Sequence, residues 1–366
     1  MKFDFDKVVD RHGTKCLKYD FAKERGRSDD MLPLWVADMD FQTAPGIQKS
    51  LSDAVAHGIY GYSEGKDDYF QAAAGWYEKH FGWKVEKEWL IKTPGVVFAL
   101  AMAVKAYTKE GDAVLLQQPV YYPFSEVITD NHRRLINSPL QQIDGHYEIN
   151  FEEFEQKIVE ENVKLFLMCS PHNPVGRVWK EWELRKIGDI CLKHNVLVVS
   201  DEIHSDFTYG ENIHHVFASL DEKYAAITTT CTAPSKTFNI AGLQISNIWI
   251  SNPELRARFR AEVTAAGYSQ VNLMGLVACQ AAYETGEEWL KELKTYLEGN
   301  LDYVRTFLKE NLPEIKLTEP EGTYLLWLDF KSLGMKEEQL KDLVENKAKL
   351  WLDSGAMFGP DGEGFE

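Results

Sequence analysis

Five short stretches of this sequence carry side chains that could do chemistry together. Ala233-Pro234-Ser235-Lys236-Thr237-Phe238 places a lysine beyond what reads as an apolar stretch. A lysine withdrawn into a cleft loses its proton more readily and can attack and hold an aldehyde, although most lysines are solvated surface charges. Leu197-Val198-Val199-Ser200-Asp201-Glu202-Ile203-His204 ends an apolar run on a carboxylate. Asp201 would be costly to desolvate there without a cation; a pyridinium nitrogen is one such partner, and an N-cap role is the competing reading. Ser170-Pro171-His172-Asn173-Pro174-Val175-Gly176-Arg177 offers Asn173, whose amide can hydrogen-bond a ring oxygen in a loop stiffened by proline. A rigid turn is the plainer reading of that loop, with His172 as packing. Gln118-Pro119-Val120-Tyr121-Tyr122-Pro123 presents two aromatic rings, one of which could stack on a flat heteroaromatic group or pack between domains. Thr93-Pro94-Gly95-Val96-Val97 precedes a helical stretch. It is either an ordinary turn or a place where backbone and free N–H groups approach a phosphate.

The elements around these stretches explain how they could meet. A helix is expected from Val96 to Thr108, and strands over Ala113 to Gln118, Lys164 to Ser170 and Val196 to Glu202. The last two are dense in Val, Leu and Phe, the pattern of strands covered on both faces. Between them Trp182, Leu184, Ile187, Ile190 and Cys191 recur at helical spacing within Lys180 to His194. Alternation of this kind predicts an α/β domain with a largely parallel sheet, whose ligands collect at the carboxyl ends of the strands. After Asn252 helices dominate, including a long charged one from Glu287 to about Asn311, with strands expected at Ile315 to Glu319 and Tyr324 to Phe330. The expected division is an N-terminal segment over 1–45 joining a small domain, a large cofactor-binding domain over 46–280 and a small C-terminal domain over 281–366.

Assembled in chain order, the five stretches match the needs of pyridoxal 5'-phosphate: a phosphate cradle, a stacking ring, a partner for the phenolic oxygen, an anion beneath the ring nitrogen and a lysine at the aldehyde. The remaining composition narrows the partners. The 366 residues, 44% hydrophobic and 27% charged, suffice for a large core. The formal net charge of −17 disfavours nucleic acid and anionic lipid. No apolar run approaches the ~18 residues of a membrane span, and the start of the chain does not read as an export signal. Five scattered cysteines, none in a C-x-x-C pair, point to no metal site and to a reducing cytoplasm.

The stretches resemble fold-type-I pyridoxal-phosphate enzymes, and among them the carbon–sulfur lyase branch that includes cystathionine beta-lyases and the maltose-regulon modulator. The branch-level signs are Trp35-Val36-Ala37-Asp38-Met39-Asp40-Phe41, Ser170-Pro171-His172-Asn173-Pro174, Ser200-Asp201-Glu202-Ile203-His204-Ser205-Asp206 and Pro234-Ser235-Lys236-Thr237-Phe238-Asn239. The resemblance covers nearly the whole chain. It implies an α/β, aspartate-aminotransferase-like fold with a large, mostly parallel-sheet domain and a smaller α+β domain. It implies that Lys236 holds the cofactor covalently and later removes the substrate Cα proton, that Asp201 pairs with the ring nitrogen, Asn173 with the phenolic oxygen and Tyr121 with the ring face, and that Gly95, Val96 and Ser235 bind the phosphate. Tyr60, in Tyr60-Gly61-Tyr62, stands where the hydroxyl of a neighbouring subunit usually enters the site, so a homodimer with shared sites is expected.

The implied reaction is α,β-elimination on a cystathionine- or cysteine-like amino acid, giving a thiol, pyruvate and ammonia. The alternatives are an aminotransferase with the same cofactor and a regulatory binding protein on the same fold; a nicotinamide dehydrogenase is more distant, for want of an early G-x-G-x-x-G. His204 stands where aminotransferases commonly carry tyrosine and receives no proton-transfer role. Relatives continue past Gly362-Glu363-Gly364-Phe365-Glu366 into a segment with the arginine that clamps the substrate carboxylate. The 366-residue form is therefore expected to bind cofactor but to turn over poorly.

Overall fold

Seven strands form the central sheet: β1 (Leu90–Thr93), β2 (Ala113–Leu116), β3 (Arg134–Asn137), β4 (Val163–Cys169), β5 (Leu197–Asp201), β6 (Thr228–Thr232) and β7 (Ser246–Trp249). The computed structural model describes residues 2–366. The spatial order is β1-β7-β6-β5-β4-β2-β3. Only β7 runs against its neighbours; the strands from β6 to β3 are mutually parallel. The expected mostly parallel sheet is therefore present.

Seven helices matter for the site and its support: α1 (Pro45–His57), α2 (Asp67–Phe81), α3 (Val96–Tyr107), α4 (Glu181–Lys193), α5 (Pro253–Ala265), α6 (Leu273–Thr285) and α7 (Glu287–Asn311). Alternate strand residues serve opposite layers, because successive side chains point to opposite faces. Val114, Leu165, Leu167 and Val199 pack with Ala99, Leu100 and Ala103 of α3 and with Phe259 of α5. Leu115, Phe166, Met168 and Val198 pack with Leu184, Ile187 and Cys191 of α4. Cover on both faces is why β4 and β5 read as unbroken apolar runs.

Strand β6 differs from the apolar stretch expected before Lys236. It reads Thr-Thr-Thr-Cys-Thr, and all five residues are buried. Branching at Cβ suits a strand, and most of the hydroxyls are absorbed by hydrogen bonds. Thr228 donates to the Tyr224 carbonyl at 2.7 Å, Thr229 pairs with the Tyr107 hydroxyl at 2.7 Å and Thr232 donates to the Asn247 carbonyl at 2.8 Å.

Beyond α7, Lys316–Thr318 pairs antiparallel with Trp327–Asp329. Leu32–Pro33 runs parallel to Leu350–Trp351, which brings the N-terminal segment against the C-terminal part of the chain. Trp35 stacks on Trp351 there, with centroids 4.6 Å apart. The expected strand from Tyr324 is shorter than its pattern: it starts at Trp327, because Tyr324 turns its ring toward His204 and Phe207. Among the described residues no helix is long and apolar enough to cross a membrane, and no cluster of three or more His, Cys, Asp or Glu could hold a metal ion.

Candidate active site

Parallel strands deliver the informative loops to one edge of the sheet. Asp201 is the last residue of β5, Ser170 follows β4, Gln117 follows β2, and the turn Pro234–Thr237 begins two residues after β6. Backbone bonds tie these loops together: Ser170 N–H donates to the Asp201 carbonyl at 2.9 Å, and Tyr121 N–H donates to the Asn173 carbonyl at 3.0 Å. Gly95 caps α3, whose first internal bond runs from Ala99 N–H to the Gly95 carbonyl at 3.2 Å. The amides of Val96 and Val97 precede that bond and remain available to an anion. A Cβ built on Gly95 meets nothing within 4 Å, so the space in front of this helix end is open.

Lys236 lies under the segment 35–41. Its Nζ donates to the Ala37 carbonyl at 2.7 Å, and the same oxygen accepts the Tyr324 hydroxyl at 2.9 Å. Asn239 fastens the segment further, donating to the Met39 and Phe41 carbonyls at 2.7 and 2.8 Å and accepting from Met39 N–H at 2.9 Å. Burial brings the Lys236 amine down to about 8, against the opposing pull of Asp38 and Asp201. Burial drives Asp201 the other way, up to about 7, with Glu202 adding to the rise and the Ile203 amide and Lys236 opposing it. Each of the pair thus feels the other's charge. Asp201 accepts the Ile203 amide at 3.1 Å in a turn, and no helix starts there, so it is not an N-cap.

Several buried polar atoms here have no partner among the described residues, including Asn173 Oδ1 and His204 Nδ1. Unpartnered polar atoms are costly to bury and are rare in folded proteins. Burial, then the nearby Lys236, push His204 down to about 3, which leaves its ring neutral at physiological pH. Free amides at a helix start, a buried carboxylate short of a cation, an orphaned amide oxygen and a depressed lysine fit a phosphorylated, aldehyde-bearing pyridine. Ser235 is buried at the start of the lysine turn, and Tyr121 is partly buried beside Tyr122, centroids 5.1 Å apart.

Tyr60 stands elsewhere. It is 59% exposed, and its hydroxyl donates to the Val55 carbonyl at 3.1 Å; no bond or ring contact links it to Lys236 within the chain. Tyr62 is 95% exposed, and its hydroxyl makes no hydrogen bond among the described residues. His172, read from sequence as packing, is buried with Nε2 on the Pro119 carbonyl at 2.8 Å and its ring edge-on to Trp179. Three participants carried no role in the sequence reading: Ala37, Asn239 and Tyr324. The first two lie inside stretches already singled out. Tyr324 had no local signal, since its partner Ala37 is 287 residues away.

A seven-stranded mixed sheet with these loops at its carboxyl edge defines the aspartate-aminotransferase-like class, pyridoxal-phosphate fold type I. The chain belongs to the aminotransferase class I and II family, whose model matches residues 30–363. Similar curated proteins include cystathionine beta-lyase PatB of Bacillus subtilis, 44% identical over 99% of this chain and 94% of that protein. Protein MalY of Escherichia coli is 34% identical over 99% of this chain and 93% of its own length. Among solved structures, cystalysin of Treponema denticola, which contains pyridoxal 5'-phosphate, superposes with a TM-score of 0.96 at 39% identity, covering 100% of this chain and 93% of its own. The cofactor-bound C-S lyase of Staphylococcus hominis gives 0.93 at 33% identity, covering 99% and 92%.

Proposed function

We propose that this protein is a pyridoxal-phosphate-dependent carbon–sulfur β-lyase acting on cystathionine- or cysteine-like amino acids. The observation that carries the reading is the pairing of a partly buried amine, Lys236, with a buried carboxylate, Asp201, whose ionisations are displaced toward each other. The names of the relatives supply the leaving atom, sulfur. When bound, the cofactor supplies an electron sink for the pair of electrons left at the substrate Cα. Lys236 would be the residue that holds the cofactor and the base that takes the Cα proton; an amine near 8 has a useful neutral fraction at physiological pH. Asp201 keeps the ring nitrogen protonated, because a buried carboxylate stabilises a cation against it. Asn173 holds the phenolic oxygen, Tyr121 covers the ring, and Gly95, Val96 and Ser235 hold the phosphate. A thioether amino acid and water then leave as thiol, pyruvate and ammonia.

The same reading takes the protein as a cytoplasmic homodimer. Free cysteines support the compartment: all five are unpaired among the described residues, four of them buried. The exposed arm around Tyr60 and Tyr62 supports an exchange of side chains between subunits. Tyr62 is the stronger carrier of the incoming hydroxyl, since Tyr60 already spends its own on Val55. Mixing Lys236→Ala chains with Tyr62→Phe chains tests this: hybrid dimers regain one intact site and activity reappears, whereas Tyr60→Phe in place of Tyr62→Phe identifies the other tyrosine if only that pair complements.

The decisive measurement is the visible spectrum of protein loaded with pyridoxal phosphate, followed by addition of cystathionine. The expected result is a visible band, absent in Lys236→Ala, and equimolar thiol and pyruvate. An aminated cofactor with no pyruvate would replace the lyase reading by transamination.

A further inference from the structure

The Ala37 carbonyl receives two donors, Lys236 Nζ at 2.7 Å and the Tyr324 hydroxyl at 2.9 Å. Among the described residues no other group donates to it. The carbonyl oxygen has a lone pair for each donor, but both draw on the same electron density, so each bond is somewhat weaker than it would be alone. The stake is unequal, because an ammonium gains more from a free acceptor than a neutral amine does.

Tyr324 cannot easily move away from this contact. Its loop is pinned by Arg177, which is 3% exposed and whose Nε donates to Glu321 at 2.8 Å. The amides of Glu321 and Gly322 both donate to the Gly176 carbonyl at 2.9 Å, and Thr323 N–H donates to the Phe207 carbonyl at 3.1 Å. A Cβ at Gly322 would lie 2.7 Å from the Phe207 carbonyl oxygen, so the loop passes where only glycine fits. The Tyr324 ring is held edge-on to Phe207 at 5.0 Å and to His204 at 5.8 Å.

We propose that Tyr324 is a positioning residue for proton transfer: its hydroxyl occupies the Ala37 carbonyl in competition with Lys236 and so favours the neutral, proton-accepting form of the lysine. This rests on Lys236 being the base. The other groups facing the lysine are Asp38 from the segment 35–41 and Asp201 and His204 from the end of β5, while Asp206 reaches the same turn through the Thr237 hydroxyl at 2.6 Å. Asp38 and Asp201 favour the ammonium, burial and Tyr324 work the other way, and a neutral His204 adds no charge to either side. Burial makes the largest contribution, and the tyrosine trims what remains.

The test reads the lysine itself. On the cofactor-free chain, the pH dependence of isotopic reductive methylation at Lys236, followed by peptide mass spectrometry, gives the midpoint of its titration. Tyr324→Phe should raise that midpoint by about 0.2 to 0.5 unit, the fraction of a charged hydrogen bond that a second donor on the same acceptor takes away. Replacing Tyr324 by 3-fluorotyrosine, a stronger donor of the same shape, should lower it, which keeps the proposal testable if the phenylalanine variant folds poorly. Tyr209→Phe removes another buried phenol that does not touch Ala37 and should leave the midpoint in place. In the loaded protein the acid limb of kcat should follow the same direction with KM unchanged. An unmoved or lowered midpoint in Tyr324→Phe, or an equal rise in Tyr209→Phe, overturns the proposal. Absence of pyruvate from every variant and from the parent would instead overturn the lyase reading and leave the midpoint result standing.

Discussion

At Arg177 and at Lys236 the molecule buries charge in two different ways. The Arg177 guanidinium meets Glu183 at 2.9 Å and Glu321 at 2.8 Å, and also reaches the Tyr147 carbonyl. Glu183 caps the start of α4 by accepting Lys180 N–H at 2.8 Å, and Glu321 accepts Val178 N–H at 2.9 Å, so nearly every donor and acceptor in the cluster is used. Around Lys236 the opposite holds: Asp201 has a single amide on it, and Asn173 Oδ1 and His204 Nδ1 have nothing. Saturated buried charge is a fastening. Unsaturated buried charge marks a place shaped for a ligand that completes it.

The sharpest way to break this contrast is to remove one charge from each region. Lys236→Ala should lower pyruvate release by about 10⁴-fold, equivalent to ~5 kcal/mol of barrier, because attachment and proton removal are both lost. In the cofactor-free chain its thermal midpoint should hold or rise, since an incompletely paired, partly buried amine disappears. Arg177→Met should do the reverse: it leaves the buried Glu183 and the partly buried Glu321 without their cation and should cost about 3 to 5 kcal/mol in urea unfolding. If Lys236→Ala destabilised the fold as much as Arg177→Met, the two regions would not differ in kind.

Asp201→Asn sharpens the contrast through pH. The folded cofactor-free protein holds the Asp201 proton up to about 7, while the unfolded chain releases it near 3.8. Between those values the folded state binds more protons, so this residue's contribution to stability falls as pH rises through that window. The span is about three units, worth at most about 4 kcal/mol. Urea midpoints of the cofactor-free chain measured from about pH 4 to about pH 7 should therefore decline less steeply in Asp201→Asn than in the parent. Loading with pyridoxal phosphate should remove the parent's decline, because a ring cation then repays the ionised carboxylate. Parallel pH profiles for the two cofactor-free chains would show that Asp201 ionises normally.

Much of this architecture could be read in advance where a residue's job follows from its neighbours in sequence. Asp201 ends one apolar strand and Asn173 lies four residues past another, and helical spacing located α4 within a residue at each end. Strand β6 was harder, because four of its five residues are threonines, and three of those hydroxyls find partners that only the fold supplies. Ala37 acts through its carbonyl, which every residue possesses, so its side chain carries no trace of the contact with Lys236. Tyr324 breaks a strand-like pattern to reach that carbonyl, and nothing local announces the detour. Between Tyr60 and Tyr62, exposure and an intrachain bond make a distinction that the letters do not.

The smallest effect probes the seam between the two kinds of burial. Thr237 is adjacent to Lys236, yet its hydroxyl donates to Asp206 at 2.6 Å, and the other oxygen of Asp206 accepts Trp76 Nε1 from α2 at 3.0 Å. Asp206 is buried and its carboxyl is pushed upward by that burial, with Thr237 and Trp76 holding it back. By the measure of saturation it belongs with Arg177, despite its place beside the lysine. Thr237→Val keeps the shape and removes one bond to a charged group, which should cost about 2 kcal/mol of stability. Turnover should fall by no more than about tenfold, since the lysine turn still has Trp76 and the Asn239 bonds to hold its surroundings. Paired urea titrations and pyruvate assays on the same preparation decide it: a loss of activity as deep as that of Lys236→Ala, without loss of stability, would place Thr237 and Asp206 in the reacting centre and move the boundary between fastening and site.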